Sequence, residues 1–387
     1  MKRLSRTLDS TKLNQLLADW LDGHIDEADT AGGEILVTQC GERLCHIVKG
    51  VADIRTGRPL EPNALYRLAS MTKPITGLAA LIAVQKGWFS LEDEVRKHLP
   101  EFGGLDVAVL RDGRIVRDHR ARSELKIWQM LCHVSGILAG ADVGARLEKA
   151  APPSAYQSIG AMVSYAASQP LAFDPGERTA YTGYASFDAI ALIIERKSGL
   201  PFSEFLQREI FGPLGIQDIT FHPTDDQWRR MVTMHDRLVA RRLVAVDMPA
   251  GTLFEGFAPT YECAGAGLAG SLEDYAKIAQ LLCNGGSLNG VRLVEPDLFA
   301  ELAKPRVADD IPGRSPNDSW GLGVRVKVHE DWLPVGAFGW SGAYGTHFWV
   351  DPENRIAAIL MRNMRWHDTH GAGEMGVEFE RLVMQCA

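Results

Sequence analysis

Near the N-terminus Leu13, Leu16, Leu17, Trp20 and Leu21 recur at helical spacing, which predicts an amphipathic helix with one buried stripe. From Gly33 to Asp53 the pattern switches to alternating apolar and polar residues around a turn at Gly41-Glu42, a β-hairpin signal. A short strand at Leu65–Leu68 leads into a helical pattern from about Met71 to Lys86. The middle of the chain is polar and broken by Gly and Pro, with helices predicted at 123–132, 157–168, 184–198 and 203–211. After a helix near 272–283, the C-terminal third returns to strands: WGLGVRVKV, PVGAFGW, THFWVD and IAAILMRN. A last amphipathic helix runs from about Glu374 to Met384. Strands from both ends with helices between them predict an α+β fold, one antiparallel sheet flanked by helices with a large helical insertion. The chain reads as a single unit, 1–387, with an α/β part at about 1–69 and 265–387 and a helical part at about 70–264.

Composition narrows the partners. The 387 residues are 46% hydrophobic and 23% charged, enough apolar mass for a large core and unlike collagen-like or disordered chains. Lys and Arg total 41 against 49 Asp and Glu, a net charge of −8, and no basic run exceeds Arg241-Arg242. That balance argues against nucleic acid or an anionic membrane and for a small-molecule partner. No apolar run approaches the ~18 residues of a membrane span, and no apolar segment follows the early cations as in a secretion signal. Cys40, Cys45, Cys132, Cys263, Cys283 and Cys386 are scattered, without C-x-x-C or zinc spacing, and are expected to be free thiols in the cytoplasm. Neither a cofactor nor a metal is expected, and the oligomeric state is not written in the sequence.

The sharpest local feature is Ser70-Met71-Thr72-Lys73, after an apolar strand and at the opening of a helix. Positions i and i+3 share a helix face, so the hydroxyl and the amine can meet. A serine hydroxyl is a poor nucleophile until a base takes its proton, and at a helix start its backbone N–H can face a developing oxyanion. By itself the tetrapeptide also fits a capping serine with a solvated lysine.

The surroundings extend the feature. LYRLASMTKPITGLAALIAVQKGWFSLEDEVRKHLPEF resembles the nucleophile helix of the serine β-lactamase-like, or penicillin-recognising, hydrolases. In order, IWQMLCHVSGI, FDPGERTAY, IALIIERKSGLPFSEFLQREIFGPLGI, YECAGAGLAGSLEDYAKIAQLLCNGGSLNGVRLVEP and GWSGAYGTHFWVDPENRIAAILM resemble later segments of that family, from about 33 to 364. The resemblance implies the β-lactamase/DD-peptidase fold and an acyl-enzyme on Ser70, with Lys73 and Tyr181 as general base and acid. The family's Y-x-N triplet reads Tyr181-Thr182-Gly183, without an amide at its third position, and Tyr184-Ala185-Ser186 is a rival register. The family's K-T-G or H-x-G element reads Trp340-Ser341-Gly342-Ala343. There the resemblance implies an oxyanion hole from the N–H groups of Ser70 and Ala343, and a substrate wall from Trp340, Ser341 and Gly342. A cation at position 340 would anchor a substrate carboxylate; Trp340 offers an apolar wall, as in the branch holding family VIII carboxylesterases and related acyltransferases.

Three other motifs carry less. Gly339-Trp340-Ser341-Gly342-Ala343 approaches G-x-S-x-G, but an α/β-hydrolase needs further strand–helix units after the serine, and too little chain remains. Gly265 to Gly270 matches G-x-G-x-x-G, yet FAPTYECA upstream is not the buried strand of a βαβ unit, and Ser271 with Asp274 reads as a helix cap. His367, Asp368 and His370 lack a third ligand pattern and read as a solvated loop, while His133 reads as a structural residue of the HVSG turn. The expected function is a carboxylesterase acting on small uncharged esters. The alternatives are a β-lactamase or D-amino-acid/DD-peptidase-type amide hydrolase, an acyltransferase to an alcohol, and a non-catalytic ligand-recognition homologue.

Overall fold

The computed structural model describes residues 5–238, 241–365 and 372–387. Helix α1 (Ser10–Asp26) starts where the Asp9 carboxylate accepts the Thr11 and Lys12 N–H groups at 2.9 and 3.0 Å. Leu13, Leu17 and Leu21 form its buried stripe. Strands β1 (Gly32–Gln39) and β2 (Glu42–Asp53) make the hairpin, and a two-residue β3 (Arg58–Pro59) follows. Next come α2 (Thr72–Gln85), α3 (Ile159–Ser168), α4 (Ala185–Ser198) and α5 (Leu272–Cys283). The chain ends with β4 (Asp318–Trp320), β5 (Arg325–Lys327), β6 (Phe338–Ser341), β7 (His347–Asp351), β8 (Ile356–Met361) and α6 (Ala372–Met384).

These eight strands form one antiparallel sheet in the order β4-β5-β6-β7-β8-β1-β2-β3. The two ends of the chain meet where β1 pairs with β8, Ile35 opposite Leu360 and Leu36 opposite Ile359. Strand β1 is buried on both faces. Ile35 and Val37 pack with Leu13, Leu17, Phe379 and Val383 of the terminal helices, while Leu36 joins the larger core that holds α2, α4 and α5. Two helical layers therefore sandwich the sheet, the arrangement of the predicted α+β fold.

Several elements differ from expectation. A hairpin, Asp106–Arg111 with Arg114–Arg120, lies within the stretch read as helical. Its turn residues Asp112 and Gly113 both have positive φ, 48° and 74°, the chemistry of a tight hairpin that an Asp-Gly pair signals. A second hairpin pairs Met234–Leu238 with Arg242–Val246. The helix expected over 123–132 shortens to Ile127–Leu131. WGLGVRVKV is two strands rather than one, because it folds back between Trp320 and Arg325. Gly323 has φ 78°, and a Cβ there would stand 2.6 Å from the Lys73 carbonyl oxygen. Close packing of this turn on α2 thus breaks the strand and brings Trp320 toward the site. Among the described residues all six cysteines are free, and no helix is long and apolar enough to cross a membrane.

Candidate active site

Ser70 sits between the strand Leu65–Arg67 and α2, in a helical turn spanning Ala69–Met71. Buried Ala69 holds φ 47°, a left-handed conformation costly for a residue with a Cβ. Its neighbours impose this geometry. Leu65–Arg67 pairs with Ala269–Ser271, the Leu68 N–H donates to the Leu268 carbonyl at 2.9 Å, and Thr346 Oγ1 donates to the Leu68 carbonyl at 3.0 Å.

Lys73 is fully buried one turn along α2. Its Nζ donates to the carbonyls of Gly183 at 2.7 Å and Gly265 at 2.9 Å, and lies 3.3 Å from Ser70 Oγ. Carbonyl oxygens only accept, so they occupy two N–H bonds. The remaining tetrahedral direction faces Ser70, with a proton when the amine is charged and a lone pair when it is neutral. Beneath it, buried Asp188 of α4 accepts the Ala264 N–H at 2.8 Å and the Tyr261 hydroxyl. Burial pushes the Asp188 carboxyl up to about 7, against these hydrogen bonds and the charge of Lys73.

The Tyr181 hydroxyl donates to Ser70 Oγ at 2.7 Å. Its ring lies 4.5 Å from His133 and 5.6 Å from Trp340, centroid to centroid. The Thr182 N–H donates to His133 Nδ1 at 3.2 Å, which fixes the loop carrying Tyr181. Burial, with the Lys73 charge second, holds His133 well below its ordinary range, so the ring is neutral and Nδ1 is free to accept. His133 is thus structural, as expected, but what it supports is Tyr181. Tyr184, the rival register, flanks the start of α4 and packs against Phe254 and Phe257 at 5.7 and 5.1 Å.

Strand β6 closes the other side. Trp340 lies 4.5 Å from Trp320, edge to face, and with Tyr181 and Trp320 builds an aromatic wall. At Gly342 a Cβ would meet Thr346 Oγ1 at 2.1 Å and the Leu68 carbonyl oxygen at 2.3 Å, so only glycine lets the strand end approach the Ser70 segment. Ala343 follows in the same contact cluster as Ala69, and its N–H has no partner among the described residues. The Ser70 N–H belongs to the first turn of a helix, where amides have no internal acceptor.

Ser341 does not share this side. Strand alternation opposes it to Trp340, and its Oγ hydrogen-bonds His347 Nδ1 at 2.8 Å, while His347 Nε2 contacts Glu380 of α6 at 3.1 Å. Glu380 also pairs with Arg325. Burial opposes ionisation of Glu380, but Arg325 and then His347 outweigh it and hold the carboxyl at about 2. The expected placement of Ser341 on the substrate wall therefore gives way to a Ser-His-Glu chain whose histidine and glutamate are buried behind the sheet. The glycines from Gly265 to Gly270 serve packing: a Cβ at Gly265 would stand 2.5 Å from the Gly183 carbonyl oxygen, and Ser271 caps α5. His367, Asp368 and His370 lie outside the described residues, and among those described no cluster of three His, Cys, Asp or Glu could hold a metal. Trp320 and Thr346 carry no signal of their own in the sequence: one opens a predicted strand and the other lies inside the GWSGAYGTHFWVD segment.

Known proteins agree with this architecture. Residues 17–369 match the Beta-lactamase family. Protein Rv1367c of Mycobacterium tuberculosis is 30% identical over 87% of this chain and 86% of its own length. Esterase EstB of Burkholderia gladioli is 27% identical, over 94% of each chain. Among solved structures, EstCE1, described as a hydrolase with promiscuous acyltransferase activity, superposes with a TM-score of 0.80 at 22% identity, covering 97% of this chain and 99% of its own. A family VIII carboxylesterase superposes with a TM-score of 0.75 at 18% identity, over 99% of each chain. This chain belongs to the Beta-lactamase family, a family of serine hydrolases of β-lactamase and penicillin-binding-protein-like fold.

Proposed function

We propose that the protein is a carboxylesterase that forms an acyl-enzyme on Ser70 and acts on small esters carrying no negative charge. The observation that carries this reading is Ser70 Oγ lying 2.7 Å from the Tyr181 hydroxyl and 3.3 Å from Lys73 Nζ. In acylation Ser70 Oγ attacks the ester carbonyl while its proton passes to the Lys73 amine. The C–O bond to the alcohol breaks, and Tyr181 delivers its proton to the leaving oxygen. In deacylation water attacks the acyl-serine, the Tyr181 phenolate takes the water's proton, and Lys73 returns its own to Ser70. Every group then regains its starting state. The N–H groups of Ser70 and Ala343 would hold the oxyanion in both steps.

The substrate charge follows from Trp340. An indole beside Tyr181 offers apolar area and no cation, so a substrate carboxylate would lose its hydration there without a partner. EstB and EstCE1 support ester hydrolysis over β-lactam or peptide cleavage. Transfer to an alcohol is a second reading, favoured by the apolar wall of Trp320 and Trp340 and by the description of EstCE1. The test is hydrolysis of p-nitrophenyl butyrate with intact-mass detection of a butyryl adduct. The adduct is expected on the wild-type chain and absent from Ser70→Ala. Full activity of Ser70→Ala would overturn the reading, and added methanol would yield methyl butyrate if transfer competes with hydrolysis.

A further inference from the structure

A cavity of about 410 Å³ adjoins the Lys73 end of the site, lined by Glu148, Tyr156, Tyr184, Glu255, Phe257 and, at its exposed rim, Lys149. Its connection to the reacting groups is short. Gly183, whose carbonyl accepts Lys73 Nζ at 2.7 Å, has no side chain, and a Cβ there would stand 3.1 Å from Glu148 Oε1. Glu148 thus comes into the space left where the triplet beginning at Tyr181 lacks an amide side chain. On the opposite side, Phe254 packs on Phe257 at 4.8 Å and on Tyr344 at 5.0 Å, and Tyr344 directly follows Ala343.

The walls are aromatic. Tyr156 stacks with Phe257 at 5.8 Å, and Tyr184 meets Phe257 edge to face at 5.1 Å. Of the two carboxylates, Glu255 is taken up by Arg365, both oxygens lying 2.8 Å from Nη2. Glu148 is different: among the described residues its carboxylate has neither a hydrogen-bond donor nor an ion-pair partner. A half-buried carboxylate without a partner is costly, and burial raises its proton affinity although the Lys73 charge opposes that. A cation entering the cavity would supply the missing partner, and ring faces add cation–π attraction.

We propose that this cavity is a subsite for an alkylammonium group carried by the ester, with Glu148 as its counter-ion and Tyr156, Tyr184 and Phe257 as its aromatic wall. The inference rests on the esterase reading and, among esters carrying no negative charge, selects cationic ones, which replaces the uncharged substrate of the sequence expectation. Trp340 excludes a negative charge on one side of Ser70, and Glu148 selects a positive charge on the other.

Calorimetry with the phenyltrimethylammonium ion tests binding without turnover. Wild type and Ser70→Ala should bind it alike, and Glu148→Gln should bind it about tenfold more weakly, the loss of one charge-assisted contact of roughly 1.4 kcal/mol. Absence of binding to the wild-type chain, or equal binding by Glu148→Gln, would overturn the subsite. Kinetics give a second arm, comparing butyrylcholine with its neutral isostere 3,3-dimethylbutyl butyrate. The ratio of their kcat/KM values should favour the cation in the wild type and fall about tenfold in Glu148→Gln; a wild-type ratio near one overturns the proposal. If neither ester is cleaved while ammonium binding still depends on Glu148, the subsite stands and the esterase reading fails.

Discussion

Ser70 and Ser341 both hydrogen-bond a nitrogen base, Lys73 Nζ at 3.3 Å and His347 Nδ1 at 2.8 Å, and both bases rest on buried acceptors. Their surroundings separate them. Ser70 stands on a strained turn beside Tyr181, which is 40% exposed, so a substrate can reach it. Ser341 belongs to a chain through His347 and Glu380, which are 2% and 0% exposed and packed between sheet and α6. The second cluster looks more like a hydrolase triad on paper, yet its base and its acid are sealed between sheet and helix. Chemistry needs an open face and an unoccupied oxyanion position as well as a serine next to a base. The first cluster has both, while the second ties β6 to the C-terminal helix.

The largest effect expected from this contrast is on turnover. Ser70→Ala should lower kcat on p-nitrophenyl butyrate by at least about 10³-fold, with little change in Tm. The mirror experiment concerns stability. Glu380→Gln should cost about 3–5 kcal/mol in urea unfolding, because Arg325 loses its buried counter-charge. Tyr181→Phe keeps the ring against His133 and Trp340 but removes the proton donor, so kcat should fall about 10²-fold with stability nearly unchanged.

Acid titration sharpens the comparison. Glu380 is held at about 2 in the folded chain against an ordinary 4.5. Its contribution, on the order of 3 kcal/mol, is therefore complete above about pH 4.5 and is lost as pH falls toward 2. Glu380→Gln should flatten that part of the stability–pH curve measured by urea midpoints. Smallest of all, Ser341→Ala should cost about 1 kcal/mol of stability and change esterase activity less than about threefold. A loss comparable to that of Ser70→Ala would dissolve the distinction between the clusters.

Much of the proposed site was legible because it is local or ordered along the chain. Ser70 and Lys73 share a helix face through i,i+3 spacing, and Tyr181 follows a Pro-Gly turn in an order that resembles the family. The terminal strands were legible too, since β7 and β8 are apolar runs bounded by turns. The hairpin at 106–120 was not, because its second strand is largely exposed and lacks the apolar alternation that marks a half-buried strand. Its Asp112-Gly113 turn was the available signal. The break inside WGLGVRVKV was hidden for another reason: it comes from contact between Gly323 and the Lys73 backbone, 250 residues apart in sequence.

The sequence by itself determined the order of the main helices and terminal strands, the sheet shared by both ends and the pairing of Ser70 with Lys73, because periodicity and short spacing act within one element. Only the tertiary structure decided that Ser341 turns to His347, that His133 and Trp320 support Tyr181, and that Glu148 faces a cavity with no partner among the described residues. Those outcomes depend on which backbone segments approach closely enough to exclude water. Such approaches, as at Gly342 against Leu68 and Gly265 against Gly183, join residues that no local pattern connects.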